Sequence, residues 1–350
     1  MPTRLQALLI LRRDITSLWL AWLLAALFLA GCATTHPGGD PLPSWNEGAT
    51  KTAIVKFVRD TTTPGSPDFV PVADRIATFD NDGTLWSEHP MYVEVVYTLD
   101  RVRELAKANP PWRNEMPFKA VIDNDKAAMA KFAEADFFKL IAVTHAGYTS
   151  AEFQKSAAAW LASARHPRFH RPYTDLVYQP MLELLAYFRA NGYKTFIVSG
   201  GTINMMRSFT DRVYGFPPEQ VIGTSFQGEY TFADNVALTR AKPALMLLDD
   251  GPGKAVGIDH FIGRTPIASF GNSDGDIAML QTATHSPDSP KYRRFGAFVW
   301  HTDGVREYAY DRNTHVGRLA EGLDLAPKLG WTLIDMKKDW KVIFPYELRK

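Results

Sequence analysis

The chain has 350 residues, of which 46% are hydrophobic and 22% are charged, and its formal net charge is +1 at pH 7. This length can bury a full core and exceeds one average domain, which predicts a core domain with an insertion. The near-neutral charge gives no reason to expect a nucleic-acid partner, and the composition is that of a globular protein.

The first 31 residues are typical of a secretory signal peptide. Arginines precede an apolar run over residues 18–30, and this run is too short for a comfortable membrane-spanning helix. Leu29-Ala30-Gly31-Cys32 resembles the cleavage box of bacterial lipoproteins. The resemblance implies that residues 1–31 are removed and that an acylated Cys32 attaches the protein to a membrane of the cell envelope. Because Ala33 follows, it further implies the periplasmic face of the outer membrane; an uncleaved anchor helix is the alternative.

Residues 32–50 are predicted to be a flexible tether. They are rich in Thr, Pro and Gly and show no hydrophobic period. Cys32 is the only cysteine, so no disulfide is expected within the chain. A short amphipathic helix is predicted over residues 51–60, and we assign residues 51–88 and 173–350 to one α/β core domain.

The stretch Arg75–Trp86 predicts a buried strand that ends in an acidic turn. The turn is Asp80-Asn81-Asp82-Gly83-Thr84, directly after an apolar run. Ligands of open α/β sheets bind beyond the carboxyl ends of the strands, so we expect Asp80 and Asp82 to share one small site. Two adjacent carboxylates repel each other, which indicates a divalent metal such as Mg²⁺ or paired acid–base chemistry. An ordinary surface turn can have the same residues, whereas the spacing excludes a helical calcium loop.

The pattern becomes helical over residues 89–172. Apolar residues at helical spacing predict helices over Tyr92–Ala108, Lys126–Ile141 and Ser150–Ala164. Thr149 and Glu152 have the spacing of a capping box at the start of the third helix. An inserted helical unit is therefore predicted between two parts of the α/β core.

A second polar strand end follows when the α/β rhythm returns. A helix from Pro180 to Asn191 precedes a predicted strand over Tyr193–Val198, which ends in Ser199-Gly200-Gly201-Thr202. A hydroxyl and two glycines in this position can bind a phosphate through the side chain and through exposed backbone N–H groups. Ser199 and Gly200 are therefore candidate phosphate ligands, although Ser-Gly-Gly is also an ordinary turn. Further elements are predicted as a helix over Ile203–Val213 and strands over Gln220–Ser225, Val236–Thr239, Ile267–Phe270 and, as the last strand, near Phe298–His301.

A third polar strand end is Gly271-Asn272-Ser273-Asp274-Gly275-Asp276, which leads into another helix. Acids at such a place can complete a Mg²⁺ site with a few protein oxygens, waters and a phosphate. Asn272, Asp274 and Asp276 are therefore candidate metal ligands.

These stretches resemble, in order, the motifs of the haloacid dehalogenase superfamily, and most of all its phosphoserine-phosphatase-like branch. The acidic turn after the first strand resembles the first motif, Ser199 the second, and Gly271–Asp276 the fourth. The resemblance extends over roughly Val72–Leu280 and implies a doubly wound, mainly parallel α/β sheet with a mobile helical cap at residues 89–172. Because the family commonly has Asp where this chain has Asn272, the metal ligand is expected to be either Asn272 or Asp274, with Asp276 as the second acid.

The resemblance also implies a role for each site residue. Asp80 would be the nucleophile, Asp82 the general acid and base, and both would bind Mg²⁺. The groups expected to hold the phosphoryl group are Thr84, Ser199, Gly200 and Lys254. The family needs a lysine to neutralise the phosphate charge, and Lys254 is favoured over Lys242 because it opens a helix nearer to the fourth motif.

The predicted function is Mg²⁺-dependent hydrolysis of a small phosphorylated metabolite through an aspartyl-phosphate. One alternative is another phosphoryl chemistry of the family, such as a mutase or a phosphonate-cleavage reaction. The other is a non-catalytic lipoprotein that keeps the fold to bind a phosphorylated ligand, and only Asn272 supports it.

Overall fold

The structure is a computed structural model that describes residues 39–287 and 292–349. These residues are organised around one seven-stranded sheet. The strands are β1 (Ile76–Phe79), β2 (Lys194–Thr202), β3 (Val221–Ala233), β4 (Val236–Leu247), β5 (Ala268–Gly271), β6 (Phe295–Trp300) and β7 (Thr332–Asp335). Their order is β4-β3-β2-β1-β5-β6-β7, and every neighbouring pair is parallel except β3 with β4. The predicted α/β fold with a mainly parallel sheet is confirmed.

The central strand β1 is buried on both faces. Ala77 and Phe79 belong to the hydrophobic cluster on one face, whereas Ile76 belongs to the cluster on the other. Phe79 stacks on Phe270 of β5, with ring centroids 4.8 Å apart. A parallel strand covered on both faces needs a continuous apolar run, which explains why this strand carries no polar side chain except Thr78.

Helices surround the sheet and fill the segment between β1 and β2. The α-helices of the described residues are α1 (Ala49–Thr62), α2 (Val93–Leu105), α3 (Phe118–Ile122), α4 (Lys126–Met129), α5 (Glu134–His145), α6 (Ser150–Ser163), α7 (Gln179–Ala190), α8 (Ile203–Arg207), α9 (Thr210–Tyr214), α10 (Pro252–Gly257), α11 (Ile277–His285), α12 (Glu321–Leu329) and α13 (Met336–Asp339).

Local capping chemistry explains one success and one error among the predicted helices. The capping box of α6 is confirmed: Thr149 N donates to Glu152 Oε2 at 2.8 Å, and Glu152 N donates to Thr149 Oγ1 at 3.2 Å. The single helix predicted over Lys126–Ile141 is wrong, because the chain forms α4 and then α5. Ala133 N donates to Asp136 Oδ2 at 3.0 Å, and this cap begins a new helix. The helix predicted over Ile203–Val213 is likewise two short helices, α8 and α9.

The strands β3 and β4 form a long antiparallel hairpin, much longer than predicted. They turn at Asp234 and Asn235, whose positive φ angles of 52° and 59° suit a tight hairpin turn. The hairpin contacts the helical segment, because Gly147 N donates to Ala241 O at 2.8 Å and Ala241 N donates to Tyr148 O at 2.9 Å. The strand predicted near Phe298–His301 is β6, but it is not the last, since β7 follows it.

The second half of the predicted tether packs into the folded domain. Leu42 and Trp45 are fully buried, and Trp45 Nε1 donates to Pro180 O at 3.0 Å. An indole with a satisfied N–H in a core position holds this segment in place, so the tether predicted over residues 32–50 ends before Leu42. Pro41–Lys350 form one compact unit, and the boundaries of the core at 51–88 and 173–350 and of the cap at 89–172 stay predictions.

The predicted signal peptide, residues 1–31, and Cys32 lie outside the described residues. Among the helices that are described, none has the length and apolar character needed to cross a membrane.

Candidate active site

Three polar loops meet at the carboxyl edge of the sheet. In the parallel register, Phe79 lies opposite both Ile197 of β2 and Phe270 of β5. The loops that begin at Asp80, near Ser199 and at Asn272 therefore leave neighbouring strands at the same level. Asp80 N continues the ladder by donating to Phe270 O at 2.9 Å. The strand order thus brings together residues that are up to about 190 positions apart in the sequence.

The loop after β1 is a tight turn that fixes Asp82. Gly83 has φ of +70°, and its N–H donates to Trp86 O at 2.9 Å. Trp86 Nε1 donates to Asp82 Oδ1 at 2.8 Å, and the indole stacks on Phe209 with centroids 4.5 Å apart. The carboxylate of Asp82 is therefore held by a side chain from its own turn.

Lys254 connects two of the predicted acids. Its side chain is buried, and Nζ donates to Asp80 Oδ1 at 2.7 Å and to Asp276 Oδ1 at 2.5 Å. The first turn of α10 needs glycine, because a Cβ on Gly253 would lie 1.9 Å from the backbone oxygen of Leu248. Lys242, the alternative lysine, lies on the hairpin 3.7 Å from Glu229.

Asp276 ties the fourth-motif loop together. Its Oδ2 accepts hydrogen bonds from Asn272 N at 2.9 Å, Ser273 N at 3.0 Å and Ser273 Oγ at 3.2 Å. A Cβ on Gly271 would lie 2.4 Å from the Cβ of Asp276, so only glycine allows this close approach. The carboxylate therefore orients both this loop and the Lys254 ammonium.

Asn272 and Asp274, the two alternative metal ligands from the fourth-motif loop, have different surroundings. Asn272 is buried in the cluster, and its Oδ1 accepts from Thr84 Oγ1 at 3.1 Å. Asp274 is not brought into the cluster: its Oδ1 accepts from the backbone N–H groups of Ala320 and Gly322, both at 2.9 Å, and so caps helix α12. Thr84 is fully buried, and its hydroxyl contacts Asn272 rather than open space.

Ser199 and Gly200 lie at the end of β2. Ser199 is buried, its Oγ accepts from Gly201 N at 3.4 Å, and the Gly200 carbonyl accepts from Thr224 Oγ1 at 2.7 Å. A Cβ on Gly201 would lie 3.7 Å from both Ser199 Oγ and Asp82 Oδ2. The serine hydroxyl and the Asp82 carboxylate thus face the same small space.

Burial governs protonation in this cluster. Burial and the nearby Asp276 raise the pKa of Asp80 to about 8, against the opposing effect of Lys254. Burial also raises the pKa of Asp82, although the hydrogen bond from Trp86 lowers it. Burial disfavours the Lys254 ammonium, but Asp276 and Asp80 outweigh that effect and raise its pKa. The buried cluster therefore holds more carboxylates than ammonium groups.

Sequence reasoning assigned no role at this site to two buried glutamates, Glu88 and Glu94. Glu94 of α2 accepts from Thr202 N at 2.7 Å and also from the Thr202 hydroxyl, and burial raises its pKa to about 7. Glu88 accepts from Asn272 Nδ2 and from Tyr310 OH, both at 2.7 Å. The position of Glu88 just after the acidic turn was a usable signal, but Tyr310 lies 222 residues away and gave none.

A cavity of about 290 Å³ lies next to this cluster. Its lining comes from the helical segment, from the start of α8 and from the β3–β4 hairpin, and it includes His145, Phe153, Thr202, Arg207, Phe226 and Arg240. Thr202 joins it to the cluster through its hydrogen bonds to Glu94. The acids that define the cluster are not among its lining residues.

The fold and the site define a class: α/β proteins in which a mainly parallel sheet presents paired aspartates and a buried lysine at the end of its central strand. A family model described as haloacid dehalogenase-like hydrolase matches residues 77–281, more than half of the chain. The chain belongs to this family.

Solved structures that are similar to this chain do not refine the family assignment. The chain is similar to a conserved protein of unknown function from Anaerococcus prevotii, at 15% identity over 73% of this chain and 86% of that chain, with a TM-score of 0.49. It is similar to a protein of unknown function from Bordetella pertussis, at 14% identity over 75% and 98% of the two chains, with a TM-score of 0.47. A phosphoserine phosphohydrolase-like protein from Francisella tularensis matches at 15% identity over 64% and 87%, with a TM-score of 0.34. No curated protein matches this chain significantly.

Proposed function

We propose that the protein is a Mg²⁺-dependent phosphatase that hydrolyses a small phosphorylated metabolite through an aspartyl-phosphate on Asp80. The observation that supports this most is the hydrogen bond from Lys254 Nζ to Asp80 Oδ1 at the end of the central strand. Asp80 Oδ2 makes no side-chain hydrogen bond within the described residues, so the carboxylate is oriented and keeps one oxygen for attack. Membership in a hydrolase family supports the same reaction class.

The residues present fit Mg²⁺. The carboxylate of Asp80, the backbone carbonyl of Asp82 and the amide oxygen of Asn272 are hard oxygen ligands, and Mg²⁺ commonly uses one or two carboxylates together with waters and a substrate phosphate. Within the described ranges, no group of three or more His, Cys, Asp or Glu side chains is arranged to hold a metal. When bound, Mg²⁺ would neutralise negative charge on the phosphoryl oxygens.

The proposed chemistry uses Asp80 and Asp82 in sequence. Asp80 Oδ2 attacks phosphorus while the bond to the leaving oxygen breaks, and Asp82 gives that oxygen its proton. The raised pKa of Asp82 favours the protonated form that this step requires. Asp82 then takes a proton from water, the water oxygen attacks phosphorus, and the bond to Asp80 breaks to release phosphate. Each group thus returns to its starting state.

The other residues bind and orient the phosphoryl group. The Ser199 hydroxyl and the Gly200 N–H at the end of β2 would donate to the phosphoryl group, and the Lys254 ammonium supplies positive charge. We assign Thr84 to the same task through Asn272, since its hydroxyl contacts that amide. The cap at residues 89–172 would then select the leaving group.

Replacement of the nucleophile tests this proposal. Asp80→Asn should lower turnover of a chromogenic phosphomonoester by several orders of magnitude, because the amide cannot form the acyl-phosphate. EDTA should abolish the wild-type activity, and added Mg²⁺ should restore it. Asp259→Asn makes the same chemical change at an exposed residue and should leave turnover unchanged. Turnover retained in Asp80→Asn refutes the nucleophile, whereas phosphate binding without any wild-type turnover favours the non-catalytic alternative.

We also propose that the mature protein is a lipoprotein, attached through Cys32 to the periplasmic face of the outer membrane. The support is the sequence alone, namely the apolar run followed by Leu29-Ala30-Gly31-Cys32. Two acyl chains give stable membrane attachment, which a single chain does not. The catalytic domain would then act on small phosphorylated molecules on that side of the membrane.

A further inference from the structure

The cavity next to the acidic cluster has walls of the opposite charge. Its volume is about 290 Å³, and residues of α5, α6, α8 and the β3–β4 hairpin contribute to its walls. Arg207 and Arg240 line it, whereas no aspartate or glutamate among the described residues does. Burial lowers the pKa of His145, a third basic side chain in the lining, to about 4, so this imidazole is neutral at pH 7. Within the described part of the chain, the formal charges on the walls are therefore all positive.

Arg207 is the cation that is available for an anionic ligand. Its Nε donates to the neutral carbonyl of Pro218 at 2.8 Å. Nη1 has no hydrogen-bond partner within the described residues, and Glu219 acts on the guanidinium from beyond ion-pair distance. Arg240, in contrast, already pairs with Glu152 at 3.0 Å. The backbone contact fixes the Arg207 guanidinium and leaves its charge for a ligand, with which it can form a charge-assisted hydrogen bond.

An aromatic wall lies in the same cavity. His145 stacks on Phe153, with ring centroids 4.0 Å apart, and on Phe226, with centroids 4.9 Å apart, and all three residues line the cavity. His145 and Phe153 are buried, whereas Phe226 is half-buried. Aromatic rings attract a further ring beyond the effect of the buried area alone. The walls thus suit a ring as well as an anion.

The volume and a free hydroxyl also fit such a ligand. A cavity of about 150 Å³ holds a benzene molecule, so about 290 Å³ accommodates a ring with an acidic substituent. Ser225 lines the cavity with 8% of the residue exposed, and its Oγ has no hydrogen-bond partner within the described residues. A buried hydroxyl without a partner is costly, and a bound acid would supply the missing acceptor.

We propose that this cavity is a binding site for a small aromatic acid, that is, a ring that carries an anionic group. The ring would pack against Phe226, and the acid would accept hydrogen bonds from Arg207 Nη1 and from the Ser225 hydroxyl. Thr202, which lines the cavity and donates to Glu94 at 2.7 Å through its backbone N–H, connects this site to the acidic cluster. Binding at this site needs neither Mg²⁺ nor turnover, so it goes beyond the proposed reaction.

Calorimetric titration of the wild-type protein with three ligands of similar size tests the site. Sodium phenylacetate should bind with a dissociation constant of about 1 mM or lower, because the walls suit both its ring and its charge. Phenylacetamide keeps the ring without the charge and should bind about tenfold more weakly, the effect of one charged hydrogen bond. Cyclohexylacetate keeps the charge without the aromatic ring and should bind about threefold more weakly. No phenylacetate binding, or an affinity equal to that of either analogue, overturns the proposal.

Two substitutions test whether the ligand lies in the cavity. Arg207→Met should weaken phenylacetate binding about tenfold and leave phenylacetamide binding unchanged. Arg212→Met, the same change at an exposed arginine of α9 outside the cavity, should bind both as the wild type does. Phe226→Leu should weaken phenylacetate binding about threefold, whereas Phe232→Leu, further along β3 and 63% exposed, should not. Wild-type affinity in Arg207→Met or Phe226→Leu overturns the proposal. If Arg207→Met does not fold, the three ligands on the wild-type protein remain decisive.

The kinetics of phosphomonoester hydrolysis identify the source of the ligand. If phenylacetate raises KM and leaves kcat unchanged, the cavity holds the leaving group of the substrate; if it changes kcat, the cavity holds a separate effector that acts through Thr202. Either result supports the site. A wild-type protein that binds phenylacetate but hydrolyses no phosphomonoester refutes the proposed function and leaves this site standing. A protein that hydrolyses phosphomonoesters but binds no phenylacetate overturns the site and leaves the proposed function standing.

Discussion

Removal of the Lys254 charge should destabilise the protein in a pH-dependent way. Lys254→Met keeps the apolar stem but deletes the ammonium that contacts Asp80 at 2.7 Å and Asp276 at 2.5 Å. Breaking a buried ion pair by removing one partner costs about 3–5 kcal/mol, because an uncompensated charge is left behind. We expect a loss of that size in the free energy of unfolding at pH 8.5, where Asp80 is mostly ionised.

The sign of the pH dependence follows from the carboxylates. In the wild type, burial and Asp276 already raise the pKa of Asp80 to about 8, and the loss of Lys254 removes an effect that lowers it. A carboxyl whose folded pKa lies above its unfolded value binds more protons in the folded state, so it favours folding as the pH falls. The penalty of Lys254→Met should therefore shrink at pH 5.5, where Asp80 becomes protonated and its charge no longer needs a partner.

Urea unfolding followed by tryptophan fluorescence at the two pH values measures this. Lys242→Met is the matched control, since Lys242 is part-exposed and pairs with the exposed Glu229 at 3.7 Å. Its effect should stay within about 0.5 kcal/mol at both pH values. A penalty for Lys254→Met below about 1 kcal/mol at pH 8.5, or one that is equal at both pH values, would refute this reasoning.

Three further outcomes are expected. Asp274→Ala should lower the free energy of unfolding by about 1 kcal/mol through loss of the α12 cap, and should leave the Mg²⁺ requirement of turnover unchanged; a raised requirement would make Asp274 the ligand. Burial lowers the pKa of His145 to about 4, so stability should fall from pH 6.5 to pH 4 by up to about 3 kcal/mol, and His145→Phe, measured by urea unfolding, should reduce this loss; an identical acid profile would contradict it. Cys32→Ser should prevent incorporation of labelled fatty acid, while residues 39–350 expressed alone should remain soluble and active; label in Cys32→Ser would rule out the anchor.

The segment after β6 contributes residues to the candidate site. This segment lies beyond residues 77–281, which the family model matches. His301 Nε2 contacts the Gly83 carbonyl at 2.7 Å, and its other ring nitrogen lies 3.3 Å from the buried Glu307. Tyr310 lies over His301, with ring centroids 4.3 Å apart, and donates to Glu88. His301 and Tyr310 therefore contact the turn after β1 and the residue Glu88 that follows it.

The sequence by itself determined the strand ends. Asp80 and Asp82 after an apolar run, and the Ser-Gly-Gly turn at Ser199, are local patterns in which chemistry and geometry come from consecutive residues. The sequence also predicted that these strand ends lie close together, because parallel strands end at the same edge of a sheet. The α/β fold could be predicted for the same reason, since buried parallel strands need continuous apolar runs.

Only the tertiary structure decided which of several similar residues reach the cluster. Lys254 and Lys242 are the same residue type, but the hairpin places Lys242 beside Glu229, whereas helix α10 places Lys254 beside Asp80. Asp274 resembles a metal ligand in the sequence. Its carboxylate instead accepts a hydrogen bond at the start of helix α12, more than forty positions later. Such choices depend on hydrogen bonds and packing between segments far apart in the chain, and a local pattern contains no information about the partner that a side chain will meet.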